Sequence, residues 1–196
     1  WYFLTADYAF GHALERDTVD VVKAAGGKVL GAVRHPLNTA DFSSFLLQAQ
    51  ASKAKVIGLA NAGGDTINSI KQAAEFGIVA GGQRLAGLLV FITDVHSLGL
   101  KTANGLVITE AFYWDQNDET RAFAKKFEAV MKKKPSMVQA GVYGAVMHYL
   151  KAIDAIKTDD GKAVVDQMKK MPINDFMTKN GKVREDGRVM RDMYLF

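Results

Sequence analysis

The sequence predicts an α/β fold in which helices cover both faces of a parallel sheet. Two observations predict it. Short runs rich in Leu and β-branched residues, such as Val56–Ala60, recur along the first half of the chain. Amphipathic stretches separate them, and residues 41–53 carry apolar side chains at i, i+3, i+4 and i+7. Buried strands alternating with helices are typical of a doubly wound sheet.

The elements of the first half follow from this pattern in chain order. Predicted strands lie at residues 2–6, 29–33, 56–60, 85–92 and 106–109. Predicted helices cover residues 12–25, where Gly26 and Gly27 end the helix, and residues 41–53. A third helix is expected to begin with Asp65 as its N-cap and to end at Gly77.

The second half has a different rhythm. Residues 118–134, 138–157 and 162–171 predict three helices in a row with no strand between them. Residues 181–183 and 187–196 predict a β-hairpin, because Asp186-Gly187 is a strong turn signal. Three amphipathic helices need each other or a sheet to cover their apolar faces.

Composition excludes several classes of protein. The chain has 196 residues, 48% of them hydrophobic and 23% charged, which is close to the globular average. It has no cysteine, so disulfides, thiolate metal sites and cysteine nucleophiles are excluded. No apolar run approaches the length of a membrane span, so we expect no direct membrane insertion.

The net charge of +4 does not indicate a nucleic-acid partner. The densest cations, Lys125, Lys126 and residues 132–134, alternate with an apolar helical stripe that includes Phe123 and Phe127. This spacing favours a solvated helix face over a phosphate-binding patch.

No catalytic or metal-binding constellation is present. The dinucleotide fingerprint, the P-loop, the zinc-protease motif and the nucleophile elbow are all absent, and the four histidines are far apart in sequence. Asp115, Asp118 and Glu119 lie at a predicted helix start, where carboxylates stabilise the helix dipole. We therefore expect no enzyme, no cofactor and no metal.

Two strand-to-helix loops remain as candidate binding elements, since ligands of such sheets bind beyond the carboxyl ends of the strands. Residues 7–11 bring Tyr8 and Phe10 to a helix start, where they serve either as packing or as stacking walls. Residues 61–66 are small enough for backbone N–H groups to approach an anion, and they equally suit an ordinary loop capped by Asp65.

Several runs resemble one family when they are taken in order. They are Thr5-Ala6-Asp7-Tyr8-Ala9-Phe10-Gly11, Thr39-Ala40-Asp41-Phe42-Ser43-Ser44-Phe45-Leu46, Ala54-Lys55-Val56-Ile57, Ala62-Gly63-Gly64-Asp65 and Gln72-Ala73-Ala74-Glu75-Phe76-Gly77. The chain resembles the periplasmic solute-binding proteins of ABC transporters, specifically the branched-chain amino acid (Leu/Ile/Val) binding family, over all 196 positions.

The resemblance implies a type I periplasmic-binding fold, with two Rossmann-like lobes, parallel sheets and three crossovers around a ligand cleft. Residues 1–108 would form most of the second lobe, residues 109–171 the helical part of the first lobe, and residues 172–196 the return to the second lobe with the terminal hairpin. The first lobe would be incomplete. The chain starts inside an apolar run at Trp1, so we expect a piece of a longer polypeptide with a signal peptide upstream and a periplasmic location.

The resemblance also implies a ligand site and partners. The partners would be a small-molecule carboxylate and the membrane subunits of an ABC permease. The implied ligand-binding residues are Tyr8, Phe10, Asn61, Ala62, Gly63, Phe91, Gln139 and Tyr143.

One departure from the family bears on the ligand. Amino-acid binders of this family have an acidic residue after the fourth strand of this lobe, where this chain has the apolar run at residues 88–92. A buried ammonium without a counter-charge is costly, so we expect a hydrophobic or aromatic carboxylate. A shift of the alignment by a few residues would supply Asp94 and leave a branched-chain amino acid as the alternative. A ligand-sensing regulatory domain with the same fold is a further alternative.

Overall fold

The computed structural model describes residues 1–196 as two compact units. The first unit contains Trp1–Thr109 and Leu195–Phe196, and the second contains Glu110–Tyr194. Each unit is described separately below.

The first unit is built on a mostly parallel sheet. Its strands are β1 (Tyr2–Ala6), β2 (Gly31–His35), β3 (Val56–Ala60), β4 (Arg84–Gly87), β5 (Val107–Glu110) and, after the second unit, β8 (Tyr194–Leu195). They lie in the order β2-β1-β3-β4-β5-β8. The pairs β1–β2, β1–β3, β3–β4 and β4–β5 are all parallel, which confirms the predicted fold class.

Five helices connect these strands: α1 (Ala9–Ala24), α2 (Ser43–Ala51), α3 (Gly63–Glu75), α4 (Ile92–Leu98) and α5 (Leu100–Ala103). They enclose a core in which Leu4, Phe42, Leu46 and Ile57 are fully buried. Long helices α1 to α3 agree with the sequence pattern, because their apolar stripes have the helical period.

Three sequence predictions for this unit need correction. The strand predicted at residues 85–92 ends at Gly87, and residues 92–98 form α4 instead. The apolar run misled the prediction because periodicity alone does not separate a buried strand from a buried helix start. The strand predicted at residues 29–33 lies two residues later, at Gly31–His35. Asp65 is the third residue of α3 rather than its N-cap, which is Ala62.

The second unit consists of helices α6 (Asp118–Met131), α7 (Met137–Ile156) and α8 (Gly161–Lys170), followed by the short antiparallel pair β6 (Lys182–Val183) and β7 (Val189–Met190). Rings of Phe123 and Phe176 stack at 4.0 Å between centroids, and Phe112 and Tyr143 pack against them. The three predicted helices are confirmed.

The predicted hairpin is shorter than expected. Its turn at Asp186-Gly187 is present, but the second arm ends at Met190. Phe196 instead exchanges two backbone hydrogen bonds with Ile108, at 2.9 and 3.0 Å. Pairing with β5 therefore draws the last residues out of the hairpin.

The close approach of α1 to β1 yields a stability prediction. A Cβ atom on Gly11 would lie 2.1 Å from the carbonyl oxygen of Ala6, which belongs to the backbone of β1 and not to a flexible side chain. We expect Gly11→Ala to lower the free energy of unfolding by about 1–3 kcal/mol, the usual cost of overpacking. Urea denaturation measures this.

The matched control is Gly64→Ala, which also lies in the first turn of a helix but whose added Cβ meets no heavy atom within 4 Å. A Gly11→Ala variant as stable as this control would contradict the packing described here.

Candidate functional site

The sheet register brings two candidate loops to the same edge. Strands β1 and β3 are parallel neighbours, with Thr5 opposite Ala60. The chain leaves both strands at their carboxyl ends and enters α1 and α3 within three residues. The amino ends of α1 and α3 therefore lie at the same edge of the sheet, where ligands of such sheets bind.

The start of α1 carries two aromatic rings and no side-chain cap. Tyr8 is the N-cap residue, and its side chain makes no capping hydrogen bond. The rings of Tyr8 and Phe10 lie 5.7 Å apart between centroids at an angle of 40°. Tyr8 is 38% exposed, so its ring face is open to a ligand.

The start of α3 has no side-chain cap either. Its N-cap residue is Ala62, and Gly63 has a φ of 57°, a conformation that glycine adopts at little cost. Gly63 and Gly64 are exposed, and a Cβ atom on either would meet no heavy atom within 4 Å. The first backbone N–H groups of a helix have no intrahelical partner, and Gly63 and Gly64 carry two of those groups.

Four other helices have a side-chain hydrogen bond at their start, whereas the N-cap side chains of α2 and α5, like those of α1 and α3, make none. In α6, α7 and α8, Asn117, Ser136 and Asp160 accept hydrogen bonds from first-turn amides. In α4, the Asp94 carboxylate accepts the N–H of Phe91 at 2.8 Å. Uncapped helix starts attract anions, because their N–H groups and the helix dipole both favour negative charge.

Asn61 directly follows β3, and its share in ligand binding stays a prediction. Its side chain is completely buried and hydrogen-bonds to His35 and Thr66. Ala62 and Gly63 lie in the uncapped turn, so they can offer backbone groups to a ligand. The side chain of Asn61 hydrogen-bonds to Thr66, the fourth residue of α3.

Phe91 and Asp94 lie at the start of α4, after β4. Phe91 is its half-buried N-cap residue. Asp94 is 7% exposed, and burial raises the pKa of its carboxyl group, partly offset by the hydrogen bond from the Phe91 N–H. Asp94 has no cation within ion-pair distance among the pairs of this unit.

Gln139 and Tyr143 are described within the second unit only. The side-chain oxygen of Gln139 accepts the N–H of Ser136 at 2.8 Å, which caps α7. Tyr143 is 47% exposed and lines an apolar depression of about 630 Å³ with Phe123, Phe127 and Phe176. Their share in ligand binding stays a prediction.

Histidines and acids are used structurally. His12 pairs with Asp7 at 2.7 Å, and His148 contacts the carbonyl oxygen of Met168 at 2.9 Å. No three His, Cys, Asp or Glu side chains are grouped to hold a metal ion. None of the helices combines the length and apolar character that a membrane span needs.

Asp65 contributes a contact that the sequence reasoning missed. Its carboxylate accepts the N–H groups of Asn38 at 3.2 Å and Thr39 at 2.9 Å, and so ties the loop after β2 to α3. The sequence contains a partial indication of this contact, because Asn38 follows β2 and Asp65 follows β3, the two strands that flank β1. His35 was missed in the same way, as the last residue of β2.

The geometry is that of an α/β protein with two helix starts that lack an N-cap side-chain bond at the carboxyl edge of a parallel sheet. The family model of periplasmic binding proteins matches residues 1–196. The chain belongs to that family, which confirms the resemblance, and its α/β architecture is that of the type I periplasmic-binding fold.

Solved structures agree. A periplasmic binding protein from Burkholderia mallei is 58% identical with a TM-score of 0.94, over 100% of this chain and 52% of that one. A branched-chain amino acid ABC transporter periplasmic ligand-binding protein from Burkholderia xenovorans LB400 is 42% identical with a TM-score of 0.88, over 100% and 52% of the two chains. This chain thus spans about half the length of these relatives.

A more distant likeness shows the fold alone. A solute-binding protein of an ABC transporter from Rhodopseudomonas palustris HaA2, in complex with p-hydroxybenzoic acid, is 24% identical with a TM-score of 0.89, over 99% of this chain and 54% of that one. Among curated proteins, no sequence matches.

The raised pKa of Asp94 predicts how its removal changes stability with pH. The stability that this group contributes is complete below its unfolded pKa, about 3.9, and is lost as the pH rises through the higher folded pKa. We expect Asp94→Asn to gain stability relative to the wild type between about pH 4 and pH 7. Urea denaturation at both pH values measures the difference.

Asp41→Asn is the control of opposite sign, because hydrogen bonds from Ser43 lower the pKa of the exposed Asp41 carboxyl. The stability cost of removing Asp41 should grow as the pH rises from below its lowered folded pKa to about 5, above the unfolded value of 3.8, and should then stay constant up to pH 7. If the stability gain of Asp94→Asn over the wild type were smaller at pH 7 than at pH 4, the raised pKa of Asp94 would be contradicted.

Proposed function

We propose that the protein is a non-catalytic solute-binding receptor of an ABC importer that binds a small hydrophobic or aromatic carboxylate. It works in the periplasm and delivers the ligand to the membrane subunits of a permease. Membership of the periplasmic binding protein family supports the general role. The ligand class rests on the site geometry described above.

One observation supports this proposal most: α1 and α3 both start without an N-cap side-chain bond, next to the exposed Gly63 and Gly64 and the rings of Tyr8 and Phe10. The ligand carboxylate takes hydrogen bonds from the first-turn amides of α3 and α1, where Gly63 and Gly64 leave space. The ligand body packs against Tyr8 and Phe10, with Phe91 at the neighbouring helix start. Aromatic rings supply large apolar contact area with defined geometry.

We also propose that the two units belong to different lobes of a longer receptor. The first unit is the second lobe, and α6 to α8 cover a sheet of the first lobe. Solved relatives about twice as long support this, as do the exposed apolar side chains of the second unit. Those most exposed are Val130 at 78%, Val142 at 59%, and Met131 and Met193 at 56% each.

A branched-chain amino acid is the second candidate ligand, and Asp94 favours it. This carboxylate is almost buried at the same edge of the sheet and its pKa is raised by burial. A ligand ammonium placed beside it would compensate the desolvated charge. The 42% identical relative is named as a branched-chain amino acid transporter protein.

The open turn of α3 gives a direct test. We expect Gly64→Ala to weaken p-hydroxybenzoate binding about tenfold or more, because the added methyl occupies the space in front of the donor amides. The fold should be intact, since alanine is a better helix former than glycine by up to about 1 kcal/mol. Isothermal titration calorimetry of the intact protein measures the affinity.

Gly161→Ala is the matched control. It places the same methyl group in the first turn of α8, also without a heavy atom within 4 Å, but that turn is capped by Asp160. Equal affinities for Gly64→Ala and Gly161→Ala would exclude the α3 turn as the carboxylate site.

Asp94→Asn separates the two candidate ligands. For an aromatic carboxylate, the variant should keep or increase its affinity, because a neutral amide removes the repulsion between the Asp94 carboxylate and the anionic ligand. For leucine, the variant should lose at least about tenfold in affinity, since the ammonium then has no counter-charge. Titrations of wild type and variant with p-hydroxybenzoate and with leucine decide between them.

A wild-type protein that binds leucine but not p-hydroxybenzoate, with binding lost in Asp94→Asn, would overturn the aromatic preference. It would establish the alternative ligand.

A further inference from the structure

We propose that a buried chain of hydrogen bonds, His35–Asn61–Thr66, positions the donor turn of α3 and so sets the ligand affinity without touching the ligand. This inference rests on the function proposed above. The three residues belong to three separate elements: the end of β2, the residue after β3, and the fourth position of α3.

The chain of hydrogen bonds has a defined direction. His35 Nδ1 lies 2.8 Å from the carbonyl oxygen of Pro36, which can only accept, so this nitrogen carries the proton. In the neutral ring, Nε2 is then an acceptor, and it lies 3.2 Å from Asn61 Nδ2. The amide orientation of Asn61 is therefore fixed by the backbone next to the histidine.

The remaining amide oxygen determines the position of α3. With Nδ2 turned to His35, Asn61 Oδ1 faces the helix and accepts the hydroxyl of Thr66 at 2.7 Å. Thr66 lies one turn from Gly63 and two residues from Gly64, whose amides are the proposed donors. A displaced Thr66 would tilt the whole first turn.

Burial makes these bonds strong and costly to break. His35, Asn61 and Thr66 are each 0% exposed. A buried polar network is electrostatically strong when every group is paired, and it costs the full desolvation of any group left unpaired. Apolar side chains of similar volume would bury as much surface, so the network contributes a defined geometry and not additional buried area.

Two further contacts keep both ends of the chain in place. The His35 ring lies edge-on to Phe42 at 4.8 Å and to Phe45 at 6.0 Å between centroids. Asp65, next to Thr66, accepts the N–H groups of Asn38 and Thr39 from the loop after β2. The first turn of α3 is therefore held from the strand side and from the neighbouring loop.

The test compares Thr66→Val with Thr66→Ser in the intact protein. Valine keeps the shape of threonine and removes the hydroxyl, which leaves the Asn61 oxygen without its donor, whereas serine retains that donor. We expect Thr66→Val to weaken p-hydroxybenzoate binding at least about fivefold, because the first turn of α3 loses the bond that positions its amides, and Thr66→Ser to stay close to the wild type.

The control is Ser69→Ala, which removes another buried hydroxyl of α3. The Ser69 hydroxyl donates to the Thr66 carbonyl at 2.9 Å and accepts a long hydrogen bond of 3.5 Å from Asn61 Nδ2. Its removal leaves the hydrogen bonds between His35, Asn61 and Thr66 in place. This variant should bind like the wild type even if it unfolds at a lower temperature.

Hydrogen exchange supplies a readout that needs no ligand. The amides of Ile67 and Asn68 close the first turn of α3 and should exchange faster in Thr66→Val than in Thr66→Ser. The His12 amide, which closes the first turn of α1 on the Tyr8 carbonyl at 3.0 Å, should not change. If Thr66→Val does not fold, Thr66→Ala removes the same hydroxyl with less demand on shape.

The outcomes are distinct. A wild type that does not bind p-hydroxybenzoate contradicts the proposed ligand, and the exchange comparison still tests the network. A Thr66→Val protein that melts earlier but binds as tightly as Thr66→Ser, with unchanged exchange at Ile67 and Asn68, reduces the network to a stabilising role and overturns the inference.

Discussion

The parallel pairing of β1 with β3 is the constraint on which the site depends. Because both strands run in the same direction with Thr5 opposite Ala60, their helices start at one edge of the sheet. Neither start is capped by the side chain of its N-cap residue, so first-turn N–H groups of both helices lie at this edge without such a partner. An anion fits such an edge, and the adjacent rings of Tyr8 and Phe10 fit an apolar body.

Polar side chains around this edge have unequal roles. Those that are buried, Asn61, Thr66 and Asp65, hold backbone segments in place. At Gly63 and Gly64, by contrast, an added Cβ atom would meet no heavy atom within 4 Å. The proposed recognition through backbone groups would explain why no ligand-binding motif stands out in the sequence: the donors are present in every residue except proline, and only the local backbone conformation exposes them.

Much of the fold could be predicted from the sequence, since the apolar runs of β1 and β3 and the helical period of α2 and α7 reflect burial directly. The boundary between β4 and α4 could not, because an apolar run carries no periodicity. Nor could the roles of His35 and Asn61. Their contact joins residues 26 positions apart, and only the register of β2, β1 and β3 brings them together.

The central claim is that the α3 turn holds the carboxylate of the ligand through its backbone. A crystal structure of the intact protein with p-hydroxybenzoate tests it most directly. The account predicts carboxylate oxygens about 2.9 Å from the backbone nitrogen atoms of Gly63 or Gly64, with the ring against Tyr8 or Phe10. A carboxylate paired with a Lys or Arg side chain, or a ligand bound away from this edge of the sheet, would contradict it.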